Sequence, residues 1–203
     1  AMETVLPGKE KVDNPFEGAY NGYRYLVKSG KEQPLSTHAD RYDINMAYGI
    51  SAYSKGEVFL AQLGYVIGTE NLMKTLRRYY SDYKLTHPTP NDIKRSAEKV
   101  SGANLDWYLN EWTQTINTID YAIKSVENNK ITLERKGRMP MPLDVIVEFE
   151  NGTKEYFYIP NTLMRFEKEN PYSDIKRTVL EGWDWAYPTF TFETNKNTSK
   201  FKQ

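Results

Sequence analysis

Residues 104–126 read NLDWYLNEWTQTINTIDYAIKSV, and the spacing of their apolar side chains changes partway along. The first half repeats with the spacing of one helix face at Leu105, Tyr108, Leu109 and Trp112. From Ile119 onward apolar and polar residues alternate, which is the pattern of a half-buried strand. Because the change falls at about 115–118, we predict a helical region before it and a sheet region after it.

Residues 53–115 have the pattern of four short helices. The first carries one apolar face, made of Phe59, Leu60, Leu63, Val66 and Ile67. Gly68 is predicted to end it, and Thr69 to cap the next helix. Thr89, Pro90 and Asp92 predict the start of the third helix, with a capping box that Asp92 closes less well than a glutamate would.

Residues 1–52 lack a sustained helical or strand period. They are rich in Gly, Pro, Asn, Asp and Tyr, which favours irregular structure. We predict only short helices here, near Phe16–Tyr25 and Asp43–Tyr48. So long an unpatterned opening is unusual in an independent domain, and it favours a piece of something larger.

After residue 118 the pattern predicts strands joined by tight turns. Asn128-Asn129 and Asn151-Gly152 separate two pairs of alternating segments, and asparagine and glycine are typical of hairpin turns. Further strands are predicted at Arg177–Leu180 and Tyr187–Phe192. Short strands at this spacing are typical of a small antiparallel sandwich.

The fold class predicted from these patterns is α+β. The predicted domains are a mainly helical one over 1–117, loop-rich in 1–52 and helical in 53–115, and a β-sandwich over 118–193. Residues 194–203 are predicted to form a polar, frayed tail.

The composition argues against several function classes. Lys+Arg 27 balances Asp+Glu 27, and no basic cluster with interleaved aromatics is present, so nucleic acid is not an expected partner. Cysteine is absent, which excludes disulfides and thiol catalysis. No apolar run has the length of a membrane span or of a signal peptide, and the sequence indicates neither a compartment nor an oligomeric state.

The two histidines do not predict a metal site. A helical zinc hydrolase site needs two histidines four residues apart with a glutamate between them. His38 and His87 are 49 positions apart, and neither has a carboxylate at ligand spacing. We therefore expect no zinc bound by this chain itself.

Tyr53 is the candidate catalytic residue. The segment Tyr53-Ser54-Lys55-Gly56 precedes an apolar helix, so its phenol is predicted to lie at a helix N-terminus, where unpaired amides create a positive potential. Its hydroxyl could donate to an oxyanion that forms on a scissile carbonyl. The alternative is a packing aromatic at the beginning of a helix.

Several of these segments together resemble the aminopeptidase N family of gluzincin zinc metallopeptidases. They are the Tyr53-x-Lys-Gly motif with the helices after it, the Thr89-Pro-x-Asp92 helix start, Asn104–Trp112, and the loop segments 33–36 and 47–52. The strands from Ile119, with the proline-containing run 137–142, resemble the small β-sandwich that follows the catalytic domain in that family.

The resemblance implies a zinc-dependent aminopeptidase that acts on peptides, with Tyr53 hydrogen-bonded to the tetrahedral intermediate. The family's His-Glu-x-x-His pair, its third glutamate ligand and its Gly-x-Met-Glu-Asn motif are not in this sequence. The expectation is a carboxy-terminal portion of a zinc-containing parent, inactive alone. The alternative is a non-catalytic peptide- or protein-binding module, and the genomic sequence upstream of Met2 would discriminate between them.

Overall fold

A computed structural model of the chain describes residues 14–161, 176–184 and 186–194. The chain divides into two compact units, residues 1–62 and residues 63–203. The last described helix ends at Gln114 and the first described strand begins at Tyr121. The predicted domain boundary at 117/118 stays a prediction, and the predicted tail lies outside the described residues except for Thr194.

The first unit contains more helix than the sequence pattern predicts. Helix α1 spans Glu17–Ser29 and ends at Gly30, whose φ of 66° is the left-handed conformation that glycine adopts readily. A short 3₁₀ turn, Ala39–Arg41, leads to α2 at Asn45–Ile50. The buried residues of α1 are Ala19 and Leu26, seven positions apart on one face, and this spacing is easily missed among tyrosines.

The backbone stays helical from α2 onward. A π-helical segment, Ser51–Lys55, joins α2 directly to α3 at Gly56–Ile67. The flanking residues Ile50 and Gly56 both have right-handed helical backbone angles. One continuous helical run therefore covers residues 45–67.

Three further helices follow as the apolar periodicity predicts: α4 at Thr69–Tyr83, α5 at Pro90–Ser101 and α6 at Asp106–Gln114. Gly68 separates α3 from α4, and it takes the N-cap position of α4, so Thr69 is the first helical residue and not the predicted cap. Its φ of 89° explains why glycine stands at this break.

The predicted start of α5 is confirmed. The Thr89 backbone N–H donates to Asp92 Oδ2 over 2.7 Å, and the Thr89 hydroxyl donates to the same oxygen over 2.8 Å. The shorter aspartate therefore closes the reciprocal bond of the capping box. Helix α6 differs slightly from prediction, because Leu105 and not Asn104 is its N-cap.

Six strands follow: β1 Tyr121–Glu127, β2 Lys130–Arg135, β3 Leu143–Glu148, β4 Lys154–Ile159, β5 Thr178–Val179 and β6 Thr189–Glu193. They form two three-stranded sheets with the orders β1-β2-β6 and β3-β4-β5. The β1–β2 and β3–β4 hairpins pair antiparallel as predicted. The β4–β5 pair is parallel, which departs from the fully antiparallel sheet expected from the sequence.

One apolar core joins the two sheets, and we call it the sandwich core. Its buried members from both sheets and their flanks are Ile131, Leu133, Val147, Phe149, Phe157, Ile159, Trp183 and Phe192. The rings of Phe157 and Phe192, one from each sheet, have centroids 4.9 Å apart. The predicted α+β fold with a small sandwich is therefore present.

Within the described ranges, no helix has the length and apolar character needed to cross a membrane.

Candidate active site

The π-helical segment Ser51–Lys55 is the local feature that positions the candidate tyrosine. The Gly56 N–H donates to the carbonyl of Ser51, five residues earlier, which is the bond that defines a π-helix. Short π-helical turns of this kind occur frequently at functional sites. The segment turns Tyr53 to solvent, where the residue is 80 % exposed, while Lys55 is fully buried.

Tyr53 therefore does not lie where the sequence pattern predicted. It sits within a continuous helical run and not at a helix N-terminus. The amides around it are in helical hydrogen bonds, so a positive end of a helix dipole does not act on its phenol. Its exposure is the property that keeps its hydroxyl free for a ligand.

A buried ion pair between Lys55 and Glu32 anchors the π-helical segment. Lys55 Nζ lies 2.7 Å from Glu32 Oε1, and the two side chains are only 1 % and 5 % exposed. Glu32 follows the end of α1, so the pair connects that end to the π-helical segment. Buried charges need a partner of opposite sign, and each of these residues supplies it for the other.

Tyr23 of α1 completes this buried cluster. Its ring lies 5.7 Å from Lys55 Nζ, a cation–π distance. Burial raises the pKa of the Tyr23 phenol above its ordinary value, and the charge of Glu32 and a hydrogen bond to it act in the same direction. The phenol therefore stays neutral and serves as a hydrogen-bond donor to the carboxylate.

Helix α1 and the π-helical segment approach closely at Gly22. A Cβ placed on Gly22 would lie 2.6 Å from Ser54 Oγ and 3.1 Å from Ser54 Cβ. Farther along, Gln62 Nε2 donates to the Tyr20 hydroxyl over 2.6 Å and joins α3 to α1. The helix that carries Tyr53 is thus fixed against α1 on both sides of Lys55.

The loop before α2, which resembles a substrate-lining loop, is held by side-chain bonds. Gln33 Nε2 donates to the Arg41 carbonyl over 3.2 Å, and the Asp43 N–H donates to Gln33 Oε1 over 2.9 Å. The Tyr42 hydroxyl donates to the Pro34 carbonyl over 3.2 Å. The loop therefore has a defined shape next to the segment that carries Tyr53.

Ser51 adds an unusual polar group to the same segment. Its hydroxyl is fully buried and has no hydrogen-bond partner among the described residues. Most buried polar groups are paired, and an unpaired one carries a desolvation cost. The segment thus holds one unsatisfied group beside a tightly paired one.

The side chains present do not fit a metal centre. In the part of the chain that the structure describes, no three His, Asp or Glu side chains converge as ligands. The His38 side chain is 71 % exposed and accepts a bond from the Asp40 N–H, as the cap of the 3₁₀ turn. His87 is exposed in the loop between α4 and α5.

Comparison with known proteins gives a match over the residues that form this site. Residues 20–112 match the model described as the peptidase family M1 domain. These residues, a little under half of the chain, are therefore similar to that family. This confirms the resemblance to the aminopeptidase N-like family drawn from its sequence motifs.

A curated relative extends the match into the sandwich. Aminopeptidase 2, mitochondrial, from Saccharomyces cerevisiae is 23 % identical over 157 residues, which is 77 % of this chain. The same alignment covers only 16 % of the yeast protein. The chain therefore spans about one sixth of the length of this relative.

The sequence made Tyr53 a candidate, which stays a prediction, but it did not indicate Glu32 or Tyr23. One signal was available, because Lys55 stands four residues before Phe59 on the apolar face of the following helix. A lysine on a buried face requires a partner of opposite charge. The identity of that partner depends on where the backbone after α1 lies in three dimensions, and the spacing of residues in the sequence does not determine this.

Proposed function

We propose that this chain is the carboxy-terminal portion of a zinc-dependent aminopeptidase that removes amino-terminal residues from peptides. It supplies Tyr53 and part of the substrate cleft, followed by the β-sandwich. The observation that carries the proposal is the exposed Tyr53 on a π-helical turn, anchored by the buried Lys55–Glu32 pair, inside the region that matches the M1 domain.

The zinc ligands of such an enzyme would come from residues outside this chain, since the described residues do not fit the metal. We expect the chain alone to be inactive for that reason. The zinc of the parent enzyme is part of the proposal.

Tyr53 acts in this proposal as a hydrogen-bond donor to the reacting carbonyl oxygen. Attack on a peptide carbonyl places negative charge on that oxygen, and a phenol O–H at about 2.7–3.1 Å stabilises the charge. The ground-state carbonyl carries less charge, so the bond is stronger in the transition state. The rigid support beneath Tyr53 limits the reorganisation needed at that moment.

The test is Tyr53→Phe in the longer protein that contains both the zinc-binding segment and this chain. Removal of the hydroxyl alone should lower kcat on an aminoacyl anilide by about 10²–10³-fold with little change in KM. The free energy of unfolding should not change, because the side chain is exposed and leaves no buried partner unpaired.

Tyr80→Phe is the matched control, since Tyr80 is a helical tyrosine with 72 % exposure. It should leave kcat unchanged. A Tyr53→Phe enzyme with normal kcat would show that this tyrosine only packs, and the proposed role would be wrong.

A further inference from the structure

The second unit contains a cavity that the proposed peptidase function does not use. It has a volume of about 730 Å³, is open to solvent, and lies between α6 and the loop that follows β2. Cavities of this size accommodate small molecules or short peptide segments. Its walls come entirely from residues of the second unit.

Positive charge dominates the lining. Arg135, Lys136 and Arg138 face one carboxylate, that of Glu111, which leaves a formal excess of two positive charges. Glu111 Oε2 accepts a hydrogen bond from Asn117 Nδ2 over 2.8 Å, so this acid is already engaged. Lys136 and Arg138 are exposed and form no ion pair with any residue in the described ranges.

The turn that carries these cations is rigid. The backbone N–H groups of Lys136 and Gly137 both donate to the Asp120 carbonyl, over 2.8 and 2.9 Å. A Cβ on Gly137 would lie 2.1 Å from the Thr118 carbonyl oxygen, so only glycine permits this approach. Because the turn is already ordered, a ligand that binds there does not have to order it.

Apolar groups line the same cavity. They belong to Trp107, Pro140, Ala186 and Pro188. The indole N–H of Trp107 donates to the Asn104 carbonyl over 3.1 Å, so the polar group of the ring is satisfied. The lining of the cavity thus combines a ring and proline surfaces with the positive charges of Lys136 and Arg138.

We propose that this cavity binds a monovalent carboxylate attached to an apolar body. Lys136 and Arg138 hold the carboxylate, and the apolar body lies against Trp107 and the prolines. A carboxylate with an apolar body also buries that body against Trp107 and the prolines, a contribution that inorganic phosphate lacks. The same chemistry is offered by a free organic acid and by the carboxyl terminus of a peptide.

Calorimetric titration of the chain with four probes tests the proposal. They are N-acetyl-Ala-Ala-Phe with a free carboxylate, the same peptide as its amide, N-acetylphenylalanine and inorganic phosphate. The free acid should bind at least about tenfold tighter than the amide, because charge-assisted hydrogen bonds are lost with the charge. If N-acetylphenylalanine binds as tightly as the peptide acid, the ligand is a small organic acid. If the peptide acid binds more tightly, the ligand is the carboxyl terminus of a peptide.

The double variant Lys136→Ala/Arg138→Ala should lose at least about tenfold in affinity for the free acid. Lys130→Ala/Lys154→Ala is the matched control. It removes two exposed cations from the same unit, paired with Glu193 and Glu148 outside the cavity lining. The control should bind normally, and circular dichroism should show both proteins folded.

Three results would overturn the proposal. They are equal binding of acid and amide, phosphate binding as tight as the acid, and equal loss in the two double variants. None of these measurements depends on peptidase activity, so the outcome is independent of the role of Tyr53.

Discussion

The π-helical segment and the sandwich core bury side chains of opposite chemistry. Beneath Tyr53, the buried groups are an ammonium, a carboxylate and an unpaired hydroxyl. Between the sheets they are aliphatic and aromatic side chains in one cluster. An ion pair needs a single geometry, whereas apolar packing accepts small changes of shape. The first region is therefore built for precise placement, and the second for stability.

The largest expected effect is on the ion pair. Lys55→Met leaves the buried carboxylate of Glu32 without its cation, and the free energy of unfolding should fall by about 3–5 kcal/mol. Urea unfolding of the chain measures this. The double variant Lys55→Met/Glu32→Leu should recover most of the loss, because no buried charge remains.

Lys74→Met is the control for this prediction. It breaks the pair with Glu70, whose two side chains are 55 % and 82 % exposed, and the unfolding midpoint should not move measurably. If Lys55→Met and Lys74→Met lowered the free energy of unfolding equally, burial of the ion pair would not explain its importance, and the contrast between the two regions would be wrong.

A smaller effect is expected in the sandwich core. Ile159 is 1 % exposed, and Ile159→Val removes one methylene, which should cost about 0.5–1.5 kcal/mol of unfolding free energy. Ile146→Val in β3 is the control. Ile146 is 59 % exposed, so this substitution should leave the free energy of unfolding unchanged. A loss at Ile159 as large as that at Lys55 would mean that the apolar core is no more tolerant than the ion pair.

The smallest effect is expected at the exposed cap of α5, outside both regions. Bonds from the Thr89 backbone N–H, then from its hydroxyl, hold the pKa of Asp92 below its ordinary value. Asp92→Asn should lower Tm by about 2–4 °C at neutral pH, the usual cost of losing a cap.

The pH dependence of that cap is set by the direction of the shift. A lowered pKa means that the folded state favours the carboxylate, so the contribution is complete above about pH 4. It is lost as the pH falls further, and wild type and Asp92→Asn should then converge. Asp43→Asn, at an exposed position, should leave Tm unchanged, and a difference that persists in acid would contradict the capping assignment.

Periodicity predicted most of the secondary structure. Apolar spacing identified α3 to α6, and alternation with Asn and Gly turns identified both hairpins. These signals are local, because each element shows its buried face in its own sequence. The parallel pairing of β5 with β4 was missed, since the pairing partner of a short strand depends on distant residues.

The candidate site was predicted less completely. The motif made Tyr53 the candidate, and the sequence placed it at a helix start because an apolar helix pattern follows Gly56. The structure instead continues the helix through Gly56. A π-helical turn has no composition of its own that distinguishes it from an α-helical one, and Glu32 approaches Lys55 from 23 residues away.

The extra residue in the π-helical segment also sets the rotation of α2 relative to α3 about the helix axis. Each residue of an α-helix advances the chain by about 100° around the axis, so one inserted residue rotates the helix before it by that angle relative to the helix after it. Tyr53 and Lys55 are two positions apart, which is about 200° around the axis, so one reaches solvent and the other a buried carboxylate. Deletion of Ala52 would restore a uniform helix and turn α2 by about 100° relative to the start of α3. The length of this segment, counted in whole residues, therefore decides which face of α2 lies in line with the buried face of α3.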